Sequence, residues 1–252
     1  MFEKLRQIFQ VPELRRRILF TLALFTVYRL GEHITTPGVN AQALTAAFNQ
    51  GQANTLFGLY DMFSGRAFSR ATIFALGIMP YISASIILQL LGSVLPYFEK
   101  LRKEGEEGQK KITQYTRLGT VIVSVVTSLG YCYGLVSGFG SSLTIVPDPG
   151  PLFFISTVVT QTAGTIFVMW LGEKITEFGI GNGMSLIIFV NIIGGLPNAI
   201  AMAFDNYRNQ NLNLLQVAAM VAIIVAVVAA VVIMTQGTRK IPVQYAKRMV
   251  GR

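Results

Sequence analysis

Charged residues in this chain fall in clusters, and long uncharged stretches separate them. No Asp, Glu, Lys or Arg occurs in residues 71–98, 118–147, 149–172, 178–204 or 209–238. A helix needs about 20 largely apolar residues to cross the hydrocarbon core of a bilayer, and all five intervals are long enough. A sixth apolar run, 18–28, reaches that length only by including Arg29 and Glu32, whose side chains are expected to snorkel to the outer interface. The pattern predicts six transmembrane helices, near 15–34, 71–95, 118–138, 151–171, 183–202 and 212–235. Residues 33–60 are uncharged but include many Thr, Asn, Gln, Pro and Gly residues up to Asn54, which is loop composition. Residues 56–69, LFGLYDMFSGRAFS, are too short to span and too apolar for a free loop. They predict a short re-entrant element, buried in protein because irregular backbone is not tolerated against lipid.

Composition supports this reading. Hydrophobic residues make up 52% and charged residues 13% of the chain, against roughly 25% charged in soluble domains. Disorder and a disulfide scaffold are excluded. One Cys and one His do not supply a zinc site. Arg15–Arg17 precede the first apolar run as the basic region of a signal peptide would. Tyr28, Arg29 and Leu30 then stand where a small-residue cleavage motif belongs, so the run is expected to be a span.

Six spans put both termini on one side. Seventeen of the 21 Lys and Arg lie on that side and four on the other, which makes it cytoplasmic by the positive-inside rule. The net charge of +9 therefore faces anionic lipid or an acidic partner. Phe2, Leu5, Ile8 and Phe9 suggest an amphipathic surface helix at the start, and 99–117 reads as a charged cytoplasmic loop.

Within the spans, Pro80 is expected to kink the second. Ser85 and Gln89 share a face of it. Cys132 reads as a small buried residue, and Trp170 as an interfacial aromatic. The run 179–183, GIGNG, reads as a tight turn at a helix start, and Asn191 lies inside the fifth span. The middles of the spans are free of ionisable residues, which argues against a proton-coupled transporter. The absence of a His from the spans argues against an intramembrane serine protease. No enzymatic activity, metal or cofactor is expected. A pore, a scaffold and an uncoupled transporter remain.

Four segments resemble the SecY family. They are 72–91 (TIFALGIMPYISASIILQLL), 103–117 (KEGEEGQKKITQYTR), 167–183 (FVMWLGEKITEFGIGNG) and 239–251 (RKIPVQYAKRMVG). The resemblance implies an all-α polytopic membrane protein with six transmembrane helices and a short re-entrant plug helix. It would be the first inverted-repeat half of a SecY-like channel plus the sixth span. The function implied is that of the central subunit, or an N-terminal fragment of it, of the Sec protein-conducting channel. Such a channel moves unfolded secretory proteins across the bacterial plasma (inner) membrane, and membrane proteins into it.

The resemblance also assigns residues. Ile78, Ile82, Met184 and Ile188 match an apolar pore ring, with Met184 where an isoleucine is more usual. An apolar ring can seal by dewetting while passing chains of any sequence. Asp61, Met62, Phe63, Ser64 and Gly65 lie in the plug, within 56–70. Ser83, Gln89 and Thr127 are lateral-gate candidates. Arg239, Lys240, Tyr245, Lys247 and Arg248 match the loop that docks a ribosome or a SecA motor. Implied partners are SecE-like and SecG-like small membrane subunits, signal sequences and unfolded polypeptides, and anionic lipids. A small-solute transporter and a non-conducting scaffold are the alternatives.

Overall fold

The computed structural model describes residues 11–48, 56–140, 143–209 and 213–237. Among them the chain is helical, apart from turns and one isolated antiparallel bridge between Thr35 and Thr72. In order, the helices are α1 (Pro12–Gly31), α2 (Ala41–Ala47), α3 (Leu56–Phe63), α4 (Met79–Val94), α5 (Pro96–Lys103), α6 (Glu106–Val136), α7 (Pro151–Phe178), α8 (Gly183–Arg208) and α9 (Leu214–Gln236). The chain divides into two units, Met1–Leu196 and Pro197–Arg252.

Helices α6, α7, α8 and α9 are each long and apolar enough to cross a membrane. The pair α4 and α5 adds a fifth span only if the two count as one, and they are bent by 98°. Helix α1 has 20 residues, but Glu13, Arg15, Arg16 and Arg17 occupy its first turns. Helix α6, with 31 residues, is about 46 Å long at 1.5 Å per residue, well beyond the ~30 Å hydrocarbon core. The connection expected as a loop at 99–117 is instead helical except around Glu104 and Gly105. Gly105 takes φ +73°, which lets the chain turn from α5 into α6. Lys100, Arg102 and Lys103 end α5, and Glu106 and Glu107 begin α6. Each set complements the local helix dipole. The Lys103 ammonium, 2.6 Å from Glu99, holds that carboxyl below its ordinary range.

The second apolar interval also departs from expectation. It is helical only from Met79; residues 71–78 are turns. Ala71 and Gly77 adopt φ of +48° and +54°, which no α-helix accommodates. Pro80 sits in the first turn of α4, where its missing N–H costs nothing, so it starts this helix rather than kinking it.

Two apolar cores organise the first unit. One gathers Leu44, Phe48, Phe68, Leu76, Tyr131, Leu135 and Phe139 with their neighbours. The other gathers Tyr28, Phe74, Ile78, Val168, Leu171, Ile175 and Ile187. In the second unit, α9 is almost wholly Val, Ala, Ile and Met, and begins with a capping box between Asn213 and Gln216.

Candidate functional site

The four ring positions come together. Ile78 is buried in the second core, and Ile82, Met184 and Ile188 pack against that core, half-buried. Ile78 immediately precedes α4, Ile82 lies in its first turns, and Met184 and Ile188 open α8. The start of α8 is set by Asn182, whose Oδ1 accepts from the backbone N–H groups of Met184 (3.0 Å) and Ser185 (3.2 Å). Thr176 Oγ1 accepts from Gly183 N at 2.9 Å and donates to Gly172 O at 2.9 Å, fastening α8 to α7. The GIGNG run is thus a helix entry, as its composition indicates.

The α3 element and its following turn lie beside this cluster. A Cβ built on Gly77, next to Ile78, would be 3.8 Å from Ser64. Asp61 accepts from Ser69 N at 2.8 Å and, through its carbonyl, from Arg66 N at 2.8 Å. Gly65 and Arg66 have φ of +67° and +68°, closing the turn. Met62 and Phe63 are exposed, and Ser64 is buried.

The lateral-gate candidates are not joined. Ser83 and Gln89 on α4 and Thr127 on α6 are exposed. Gln89 donates to Ser85 at 3.2 Å, and Thr127 to Val123 O at 2.8 Å within its own helix. Thr127 does line a largely apolar cavity of about 530 Å³ with Phe57, Tyr60, Phe68 and Tyr131. The docking candidates Arg239, Lys240, Tyr245, Lys247 and Arg248, and the amphipathic start, lie outside the described residues.

Sequence reasoning missed a set of buried polar side chains. Asn191 Nδ2 donates to Tyr28 Oη (2.9 Å) and to the carbonyl of Phe63 (3.1 Å). Gln161 Nε2 donates to Thr72 O (2.9 Å) and Thr36 Oγ1 (3.0 Å). Glu32, expected to snorkel, is only 3% exposed. Arg29 pairs with it at 2.6 Å and donates to Val190 O at 2.9 Å. The ion pair offsets part of the cost of burying the charge inside the protein. An Arg and a Glu at i, i+3, and lone amides within apolar runs, were the available signals.

The family model named SecY matches residues 72–252. The protein translocase subunit SecY of Escherichia coli (strain K12) is 47% identical over 240 residues, covering 95% of this chain and 54% of that protein. The subunit of the same name from Aquifex aeolicus is 44% identical over 256 residues, covering all of this chain and 59% of that protein. The chain thus spans a little over half the length of these relatives. Among solved structures, Sec61 in the canine ribosome-channel complex from the endoplasmic reticulum is similar in fold, with a TM-score of 0.59, 20% identity and coverage of 90% of this chain and 49% of that one. A second structure, described as that of a protein conducting channel, gives 0.56, with 18% identity and coverage of 86% and 47%. With its all-helical membrane fold and a family match over most of its length, this chain belongs to the SecY family.

Proposed function

We propose that this chain forms the N-terminal part of the central subunit of a Sec protein-conducting channel in the bacterial inner membrane. The observation that carries this reading is the convergence of Ile78, Ile82, Met184 and Ile188 on one apolar cluster beside the turn that follows α3. An apolar constriction lets a polypeptide of any sequence pass and opposes ions by dewetting. Helix α3 and its turn act as the plug of that constriction. Ser83, Gln89 and Thr127 face the side opening through which signal sequences leave. Both termini are cytoplasmic, where Arg239, Lys240, Tyr245, Lys247 and Arg248 dock a ribosome or a motor. Small membrane subunits and anionic lipid complete the assembly, and its substrates are unfolded polypeptides.

The test is Ile82→Asn together with Ile188→Asn in a complete channel reconstituted in vesicles. Resting ion leak and export of a precursor with a defective signal should both rise. Val228→Asn in α9 should lower stability without either effect. Unchanged leak and unchanged discrimination in the double variant would make these residues packing and not a pore.

A further inference from the structure

The turn that ends α3 is fastened to the rest of the protein by a buried polar cluster. Asn191, 2% exposed in α8, donates through Nδ2 to the carbonyl of Phe63, the last residue of α3, and to the hydroxyl of Tyr28 in α1. Tyr28 is held in turn by stacking on Phe74, with centroids 5.6 Å apart and planes 4° from parallel. Arg29 spans from Glu32 to the carbonyl of Val190, immediately before Asn191, so α1 and α8 are joined at two adjacent positions, 190 and 191. The anchor is therefore rigid, while the piece it holds is a turn.

The same cluster also contains two acceptors without a donor. Neither Glu32 Oε1 nor Asn191 Oδ1 has a partner within hydrogen-bond distance among the described residues, and both are buried, although the Tyr28 hydroxyl interacts with the Glu32 carboxylate at longer range. Both face one spot. A Cβ built on Gly65 would lie 3.0 Å from Glu32 Oε1 and 3.1 Å from Asn191 Oδ1. Gly65 takes φ +67°, and any side chain there would press on both oxygens. Buried acceptors without donors are costly, and the cost disappears once water reaches them. Lifting the turn breaks one hydrogen bond to Phe63 and hydrates two oxygens.

We propose that Asn191, positioned by Tyr28 and set beside Glu32, is a latch that holds the turn Phe63–Gly65 shut and is balanced for release. The proposal rests on the reading of α3 as the plug of a channel. Asn191 is a positioning residue, and its chemistry sets how often the turn leaves its seat. The amide bond holds the turn; the two unmatched oxygens keep the hold weak enough for an incoming chain to break.

The experiment uses the complete channel in vesicles, with Cys132→Ser and a Ser64→Cys reporter. Ser64 is 1% exposed in the closed turn, so its labelling by a membrane-impermeant thiol reagent from outside reports the lifted turn. Asn191→Leu removes both donated bonds at similar volume. Asn191→Asp replaces the donor with a second acceptor facing the Phe63 carbonyl. Each should raise the labelling rate about tenfold, as expected when a buried hydrogen bond is lost and its partner left unpaired. Tyr28→Phe, which deletes one oxygen, should give a smaller rise. A merely structural role would lower the heat-denaturation midpoint while leaving labelling of the folded fraction unchanged. Parental labelling rates in Asn191→Leu and Tyr28→Phe would overturn the latch. Deleting Asp61–Ser69 in the parent tests the plug reading separately, by resting leak. A leaky deletion with unaltered Asn191 labelling refutes the latch alone; a tight deletion refutes the plug.

Discussion

Replacing Gly164 by alanine puts a methyl group where α7 touches the irregular stretch that precedes α4. The new Cβ would fall on the carbonyl oxygen of Ile73, well inside van der Waals contact. It would also lie 3.0 Å from that carbonyl carbon and 3.2 Å from Phe74 Cδ1. Relief requires a shift on the order of 1 Å, since comfortable contacts are about 3.5–4.0 Å. Phe74 cannot give way freely, because its ring stacks on Tyr28 at 5.6 Å and on Phe167 at 5.8 Å. Overpacking of this kind costs about 1–3 kcal/mol. At about 2–4 °C per kcal/mol for a domain of this size, the midpoint of heat denaturation should fall by roughly 2–12 °C. Gly130→Ala on α6 is the control, since nothing lies within 4 Å of its Cβ position. It should be neutral or stabilising by about 0.5–1 kcal/mol, the helix-propensity gain. The assay is the monodisperse fraction left in detergent after heating, read by size exclusion for parent and both variants. Equal midpoints for Gly164→Ala and the parent would refute the close approach of α7 to residues 73–74.

Two further outcomes follow from single contacts. Tyr131→Phe should destabilise by about 0.5–1.5 kcal/mol, measured by the same heating assay, because it loses the buried hydrogen bond of 2.7 Å to Phe68 O, while that carbonyl keeps the Ala71 N–H at 3.2 Å. Arg117→Ala should cost no more than about 1 kcal/mol and lose its effect at high salt, although both guanidinium contacts to Glu173 are 2.8 Å, because the pair is solvent-exposed.

The helices α6 to α9 were legible because uncharged length is a direct consequence of the bilayer's thickness. The helix start at GIGNG and the shared face of Ser85 and Gln89 were legible because they are local. The start of the second interval was not. Residues 71–78 are as apolar as a span, and the positive φ values of Ala71 and Gly77 arise from tertiary contact, which periodicity does not record. Pro80 was visible, but a proline marks a helix start as readily as a kink, and only the break before it decides. Glu32 was misjudged for a related reason. Its charge suggested an interface, while its partner, Arg29, is one turn away and turned inward. Ile78, Ile82, Met184 and Ile188 were named through the family resemblance. Their meeting across helices depends on the Gly172–Gly183 approach and the Thr176 bridge.

The buried polar side chains obey one rule. Irregular backbone buried in protein needs partners for its carbonyls, and among the described residues the stretch from the end of α3 to the start of α4 is a long backbone of this kind. Four side chains from four helices donate into it. Asn191 of α8 reaches Phe63 O, Tyr131 of α6 reaches Phe68 O, Gln161 of α7 reaches Thr72 O, and Tyr60 of α3 reaches Leu76 O at 2.9 Å. Backbone pairs add to these: Ala71 O accepts from Thr36 N at 2.7 Å, Phe68 O from Ala71 N at 3.2 Å and Thr72 O from Ala75 N at 3.0 Å, while Ile73 N donates to Ile34 O at 2.9 Å. The donors need not be numerous, since each unmatched carbonyl costs more than a bond made in its place returns. They do need to sit at fixed heights along their helices, opposite the carbonyl each one serves. That requirement explains why single amides and hydroxyls interrupt otherwise apolar spans. It also separates two kinds of attachment along the stretch. Phe68, Thr72 and Leu76 are held within packed cores. Phe63 is held by Asn191 beside Glu32 Oε1 and Asn191 Oδ1, two buried oxygens without a hydrogen-bond partner among the described residues. The stretch is therefore tied into packed cores towards its α4 end and held by a single side-chain amide at its α3 end, and under the proposed plug reading that asymmetry would let the turn leave without unravelling the wall behind it.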